Sequence, residues 1–339
     1  MEHNLLASKL HNLTFIKTVL MLCVIAGHSA IFWKGTWFTA VEPAELIEGL
    51  SWISDFMNSF HIFAFTLVSG YLFYFLKIEQ EKYMEFRPFL LGKLKRLIVP
   101  YIFVCVIWVI PVAEYFFHYS IADVIDRYIL GTNPNQLWFL LMLFWVYLIA
   151  WPLAGVFNRK PVIGGIVVVG LYVVGMVGSR LFPNYFFIWR SCEYVLFFWI
   201  GFMIRKMPVV FERIKWYVWL TIFIILFIAW EMLNSGAIHS LLEIAVHVTG
   251  SIATFEALGS LAKRIDWSKA WFQHLSSKTM PMYLFHQQII YFTIYWLNGK
   301  ANPYIHAGIN FIVALVCSFL ISGVLMRWKV TRFLIGEKA

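Results

Sequence analysis

Ten long apolar stretches follow one another along this chain, at approximately 13–33, 56–76, 97–117, 137–157, 161–182, 185–204, 216–234, 238–261, 277–297 and 304–326. About twenty apolar residues cross a hydrocarbon core about 30 Å thick as one helix. Inside lipid a backbone must satisfy its own hydrogen bonds, so a spanning segment of this kind is a helix. The expected fold is therefore all-α: a polytopic membrane helix bundle of about ten transmembrane helices, as one transmembrane domain over residues 1–339 with no appended soluble domain. Composition agrees, since 61% of residues are hydrophobic and 13% are charged, the latter about half the soluble average. The first stretch is too long and too poorly flanked for a cleaved signal peptide. Cys23, Cys105, Cys192 and Cys317 all sit inside apolar spans. They imply neither a disulfide framework nor a metal site.

The basic residues set the expected orientation. Lys77, Lys82, Arg87, Lys93, Lys95 and Arg96 fill the second loop, and Arg159 and Lys160 the fourth. Arg205, Lys206, Arg213 and Lys215 fill the sixth, Lys263, Arg264 and Lys269 the eighth, and Arg327, Lys329, Arg332 and Lys338 the tail. The odd loops are poor in Lys and Arg, and the first holds Glu42, Glu45, Glu48 and Asp55. By the positive-inside rule both termini are cytoplasmic. The net charge of +9 follows this topological pattern, so no nucleic-acid partner is expected.

Polar groups inside the spans are the functional candidates, because ionisable side chains in lipid face a bundle interior or an aqueous cavity. The first span, LTFIKTVLMLCVIAGHSAIFW, carries Lys17 and His28. Their spacing puts both on one helical face, about 16 Å apart along the axis. With the orientation above, Lys17 is near the cytoplasmic end. His28, His61, Arg190, Glu193, Glu243 and His247 then share the outer third of the bilayer, and His286 is near mid-membrane. These groups imply a polar cavity opening outward. Lys93, Lys95 and Arg96 form a cytoplasmic cluster suited to phosphates. Each signal has a plainer explanation: a structural ion pair for Arg190 and Glu193, packing for the lone histidines, and topology or anionic lipid for the basic cluster. Trp33, Trp37 and Trp296 read as interfacial belt residues.

Several segments together resemble the acyltransferase-3 family of bacterial integral-membrane acyltransferases. The first span is similar to the family's basic-x10-His pattern, here Lys17 to His28. FHIFAFTLVSGYLF resembles its aromatic-rich segment ending in Ser-Gly-Tyr, here Ser69, Gly70 and Tyr71. KLKRLIVPYIF is similar to its basic cluster followed by Leu and Pro, here Arg96, Leu97 and Pro100. NQLWFLLMLF resembles its Leu-Trp-Phe-Leu entry, with Trp138, and SSKTMPMYLFH its Ser…Tyr-Leu-x-His segment ending at His286. Two departures stand out: Lys17 where many members have Arg, and Lys93-x-x-Arg96 where members often show two arginines.

The resemblance implies an O-acyltransferase, most simply an O-acetyltransferase, in the bacterial cytoplasmic (inner) membrane. It implies acetyl-CoA or another acyl-CoA as cytoplasmic donor, with Lys17, Lys93, Lys95 and Arg96 as donor-side residues. His28 is the expected catalytic residue, as base or acyl carrier. His61, Ser69, Trp138, Arg190, Glu193, Glu243, His247 and His286 are acceptor-side or supporting. The implied acceptor is a carbohydrate such as O-antigen, capsule, exopolysaccharide or a related glycan, with glycan-assembly proteins as further partners. The competing class is a proton-coupled exporter or flippase of a glycan or lipid-linked sugar, which would use the same His, Glu and Arg residues as a proton relay.

Overall fold

The computed structural model describes residues 2–233, 235–265 and 269–338, with side chains from residue 12 onward. No strand occurs among the described residues. The α-helices are, in order, α1 (Glu2–Ala30), α2 (Glu48–Asn58), α3 (His61–Tyr74), α4 (Phe86–Lys93), α5 (Val99–Val104), α6 (Ile110–Phe117), α7 (Ile121–Val124), α8 (Trp138–Arg159) and α9 (Pro161–Leu181). They continue as α10 (Ile188–Lys206), α11 (Pro208–Glu212), α12 (Trp216–Met232), α13 (Ala237–Ala262), α14 (Ala270–Ser276), α15 (Thr279–Leu297), α16 (Pro303–Leu325) and α17 (Lys329–Leu334).

Eight helical segments among the described residues are long and apolar enough to cross a membrane. The other two expected spans are also helical. One is α12, apolar but only 17 residues long, near the lower limit for a spanning helix. The other is α15, whose centre is the polar run His286-Gln287-Gln288. Residue 234, the expected end of the seventh span, lies outside the described residues.

Two boundaries differ from the sequence expectation. The second span starts at Glu48 and the third at Phe86, so helix extends well before each apolar run. Lys93, Lys95 and Arg96 consequently lie within a continuous helical segment and not in a loop. The third span also contains π-helical turns at Leu94–Ile98 and Cys105–Val109. Each turn ends shortly before a proline, Pro100 or Pro111. A proline has no N–H to donate and its ring crowds the carbonyl four residues back. A locally wider turn relieves that crowding without ending the helix.

The chain divides into two compact units. The first comprises Met1–Val68, Met207–Thr279 and Ile290–Val316. In it α12 and α13, joined by a short connection, pack along each other. Phe56, Phe60, Phe223 and Phe227 interleave edge to face beside them. Phe15 of α1 meets Phe272 of α14 with ring centroids 5.7 Å apart.

The second unit comprises Ser69–Lys206, Met280–Ile289 and Cys317–Ala339. Its core is aromatic: Phe73, Phe89, Tyr147, Phe198 and Phe202 are all buried. Gly70 lies directly against the α10 backbone, where a Cβ would stand 1.8 Å from the Phe198 carbonyl oxygen. Small residues let membrane helices approach this closely. At the ends of the same two spans Arg205 binds Glu79 through both carboxylate oxygens, at 2.8 and 2.6 Å, and Tyr71 at 3.0 Å. The Ser69-Gly70-Tyr71 segment thus has a packing role at Gly70 and a hydrogen bond to Arg205 at Tyr71, while Ser69 hydrogen-bonds Tyr147.

Candidate active site

His28 occupies the last turn of α1 and is half-buried. A 3-10 turn at Ile31–Lys34 continues the helix, and Gly35 ends it at φ +79°, a left-handed conformation that glycine adopts without penalty. The chain then folds back, so that the Trp37 ring lies 5.4 Å from the His28 ring, tilted by 31°. Tyr291, on α15, meets Trp37 edge-on at 5.1 Å and stacks on Phe38 at 4.4 Å. Trp37 is therefore part of the wall around His28, where the sequence suggested an interfacial belt. Its position depends on a turn that leaves no periodicity to read.

The backbone beside His28 is held by buried polar groups. Asn310 Nδ2–H on α16 donates to the Ser29 carbonyl at 3.3 Å. The Thr293 hydroxyl lies 2.6 Å from Asn310 Oδ1. Since the amide nitrogen faces Ser29, that oxygen is the acceptor and the hydroxyl the donor. His306 Nε2–H donates to the Thr293 carbonyl at 3.2 Å, and its ring meets Trp33 edge-on at 5.1 Å. Asn310, Thr293, Ser29 and His306 are all buried. Asn310 and Thr293 carry no ionisable group, the property that marks candidates in an apolar span, and so are not among the expected site residues. An isolated Asn in an apolar span was the available signal. Asp55 lies in α2 and not in the acidic loop, and it pairs with Lys34 at 2.7 Å.

Other candidates of the first unit lie near this helix end or on α13. His61 is buried and donates from Nδ1 to the Met57 carbonyl at 2.5 Å. That leaves Nε2 of the neutral ring as the acceptor. A Cβ on Gly27 would stand 3.1 Å from Met57 Cβ and 3.9 Å from the His61 ring, so His61 borders the turn that carries His28. His247 stacks on Phe63 at 3.9 Å, with half-buried Glu243 one turn earlier on α13. Lys17 is half-buried on the same uninterrupted helix as His28, so the expected one-face spacing holds.

The second unit contains the remaining candidates. Lys93, expected in a cytoplasmic cluster suited to phosphates, is a buried residue. It is 8% exposed, with its ammonium 3.4 Å from the Tyr147 ring centroid and 5.1 Å from that of Tyr83. An aliphatic stem and a compact charge fit among aromatic faces. Lys95 and Arg96 are exposed. Arg190 binds Glu193 at 3.1 Å, and Glu193 also accepts from the Ser179 hydroxyl of α9 at 3.2 Å. This pair ties α9 to α10. The Trp138 ring meets Phe187 at 5.4 Å and Tyr194 at 5.8 Å.

His286 is fully buried and donates from Nδ1 to the Tyr283 carbonyl at 2.8 Å. Two residues on, Gln288 and Gln136 exchange two amide hydrogen bonds, at 2.7 and 3.0 Å. Gln136 also donates to the Leu284 carbonyl at 2.8 Å, and Trp108 to the Phe285 carbonyl at 3.2 Å. This glutamine pair was not among the expected site residues. Two residues so far apart in sequence meet only through helix packing. No group of three or more His, Cys, Asp or Glu side chains able to hold a metal comes together among the described residues.

The family model for the acyltransferase domain matches residues 10–327, nearly the whole chain. The chain belongs to the acyltransferase-3 family. It is thus an integral-membrane acyltransferase, and the resemblance read from separate short segments extends across both units. Comparison with curated proteins and with solved structures returned no match. For an acyltransferase-3 protein the chemistry to explain is transfer of an acyl group to a nucleophile. That needs a base able to act near neutral pH, and an imidazole is suited to it.

Proposed function

We propose that this protein is an O-acetyltransferase of the bacterial inner membrane, with both termini in the cytoplasm. It would move the acetyl group of cytoplasmic acetyl-CoA to a hydroxyl of an extracytoplasmic carbohydrate such as O-antigen, capsule or exopolysaccharide. The observation that carries the reading is the setting of His28: an imidazole in a membrane helix, beside a half-buried indole, with the next residue's carbonyl tied to Asn310. A base held in place on a rigid element loses little on reaching its reactive geometry.

In the proposed reaction the acceptor hydroxyl attacks the thioester carbonyl and His28 takes its proton. The tetrahedral intermediate expels the coenzyme A thiolate, which recovers that proton as the free thiol. Exposed Lys95 and Arg96 support a role in holding donor phosphates on the cytoplasmic side. Lys93 is assigned to ordering the aromatic cluster behind them. Partners would be the carbohydrate, the bilayer and glycan-assembly proteins.

The test follows radiolabelled acetyl-CoA in membrane vesicles, with glycan analysis by mass spectrometry and NMR. His28→Ala should abolish glycan labelling while the variant is still inserted in the membrane at the normal level. Near wild-type labelling by that variant overturns the reading. Rapid quench of the wild type into neutral denaturant, where an acyl-imidazole survives longest, addresses the other role of His28: an acetyl group trapped on His28 would make it the carrier. Transport of the glycan with no dependence on a thioester would instead favour a flippase.

A further inference from the structure

The loop after α1 is fixed at several points. The Gly35 N–H donates to the Phe32 carbonyl at 3.0 Å, and the Ile47 N–H to the Trp33 carbonyl at 3.3 Å. Between them Asn298 clasps the loop, donating to the Glu42 carbonyl at 2.7 Å and accepting from the Ala44 N–H at 3.2 Å. Phe38 and Tyr291 beneath it are 2% and 3% exposed. Trp37 rests on Tyr291 and touches His28, yet is only half-buried. The indole is thus braced from behind, beside the proposed base, with surface left open.

A large flat ring next to a base that deprotonates a hydroxyl selects a particular ligand shape. The indole face is negative and attracts electropositive C–H groups. A pyranose ring with equatorial substituents presents such C–H groups on a flat face and hydroxyls around its rim. An acyclic polyol has the same hydroxyls and no persistent face. A braced aromatic also binds at low entropic cost, since its side chain is already ordered.

We propose that Trp37 is the stacking platform of the acceptor site, and that the site takes a pyranoside whose C–H face lies on the indole with a rim hydroxyl turned to His28. This rests on the reading of His28 as the acyl-transfer base. Trp37 binds the acceptor and has no part in donor capture.

Saturation-transfer NMR on the full-length protein in detergent micelles tests the platform without turnover, using methyl β-D-glucopyranoside and sorbitol as probes. The wild type should transfer saturation to the ring C–H protons of the glucoside at least fivefold more strongly than to sorbitol. Trp37→Leu should remove that difference, and Trp37→Phe should keep most of it. Melting temperatures of both variants within a few degrees of wild type show that the fold is retained. Equal saturation of both probes by the wild type, no saturation of either, or Trp37→Leu behaving like Trp37→Phe overturns the proposal.

His28→Gln separates the two readings. It should bind the glucoside as the wild type does and lose acetyl transfer. If His28→Gln keeps transfer, the reading of the base fails, whatever the Trp37 result. In a transfer assay Trp37→Leu should raise the acceptor KM about tenfold and leave the donor KM within twofold. Equal rises in both constants overturn the platform.

Discussion

Asn310 Nδ2–H donates to the carbonyl of Ser29, the residue directly after His28, across the gap between α16 and α1. The last four carbonyls of any α-helix have no partner within the helix, and in a membrane water is not there to supply one. Asn310 satisfies one of these at the helix end that carries the proposed base; the Ser29 carbonyl, which can only accept, fixes which way the amide points, and Oδ1 then faces the Thr293 hydroxyl.

Asn310→Leu should therefore affect both stability and turnover. It leaves the buried Ser29 carbonyl short of a partner, at a cost of about 1–3 kcal/mol, while the Thr293 hydroxyl keeps the Ile290 carbonyl at 2.9 Å. Unfolding in mixed micelles measures that cost. In the transfer assay the turnover number should fall at least tenfold with the donor KM unchanged. A loss of stability with full turnover per folded molecule would make Asn310 a structural group only.

Gly70→Ala should be among the most damaging single-methyl changes in the second unit. The atom it meets is the Phe198 carbonyl oxygen, and backbone cannot swing aside as a side chain can. The strain should reach about 3 kcal/mol or more. Yield of monodisperse protein and melting temperature in detergent report it.

Arg205 and Glu79 should show a favourable coupling in a double-mutant cycle. The pair is bidentate, and Arg205 is 11% exposed while Glu79 is 32% exposed. Solvent screening at the carboxylate limits the coupling to about 1–2 kcal/mol. Arg205→Lys should recover less than half of it, because an ammonium does not reproduce the two parallel hydrogen bonds.

The start of α7 should respond to acid. Ser120 and Asp123 form a reciprocal cap, with the Ser120 hydroxyl donating to the carboxylate at 2.6 Å and the Ser120 N–H at 3.0 Å. Both bonds hold the Asp123 carboxyl below the usual carboxylate range. A carboxylate whose folded value is depressed contributes above its unfolded value and loses that contribution as pH falls through the folded one. Amide-exchange protection at Ser120 and Asp123 should hold at neutral pH and drop in the acid range. In Asp123→Asn it should be weaker and flat with pH.

The helices were legible because lipid leaves little choice. Long apolar runs mark where a backbone must bond to itself, and among the described residues each of the ten expected spans is formed by helix. His28 and Lys17 were legible for a related reason, since an ionisable group in such a run stands out. The early starts at Glu48 and Phe86 were not, because a helix can continue past its apolar part on contacts that composition does not reveal. The burial of Lys93 under Tyr147 was hidden as well: a lysine in a basic run reads as exposed until the opposing aromatic faces are known.

Apolar spacing along one chain was sufficient for the helices and for the residues that cost most to place in lipid, since both follow from local composition and solvent. The company those residues keep came from packing. Trp37 reaches His28 through a left-handed turn at Gly35, Asn310 reaches Ser29 from the other end of the chain, and Gln136 finds Gln288. Each pairing depends on distance in space between elements far apart in sequence, and no local rule of composition or periodicity encodes that distance.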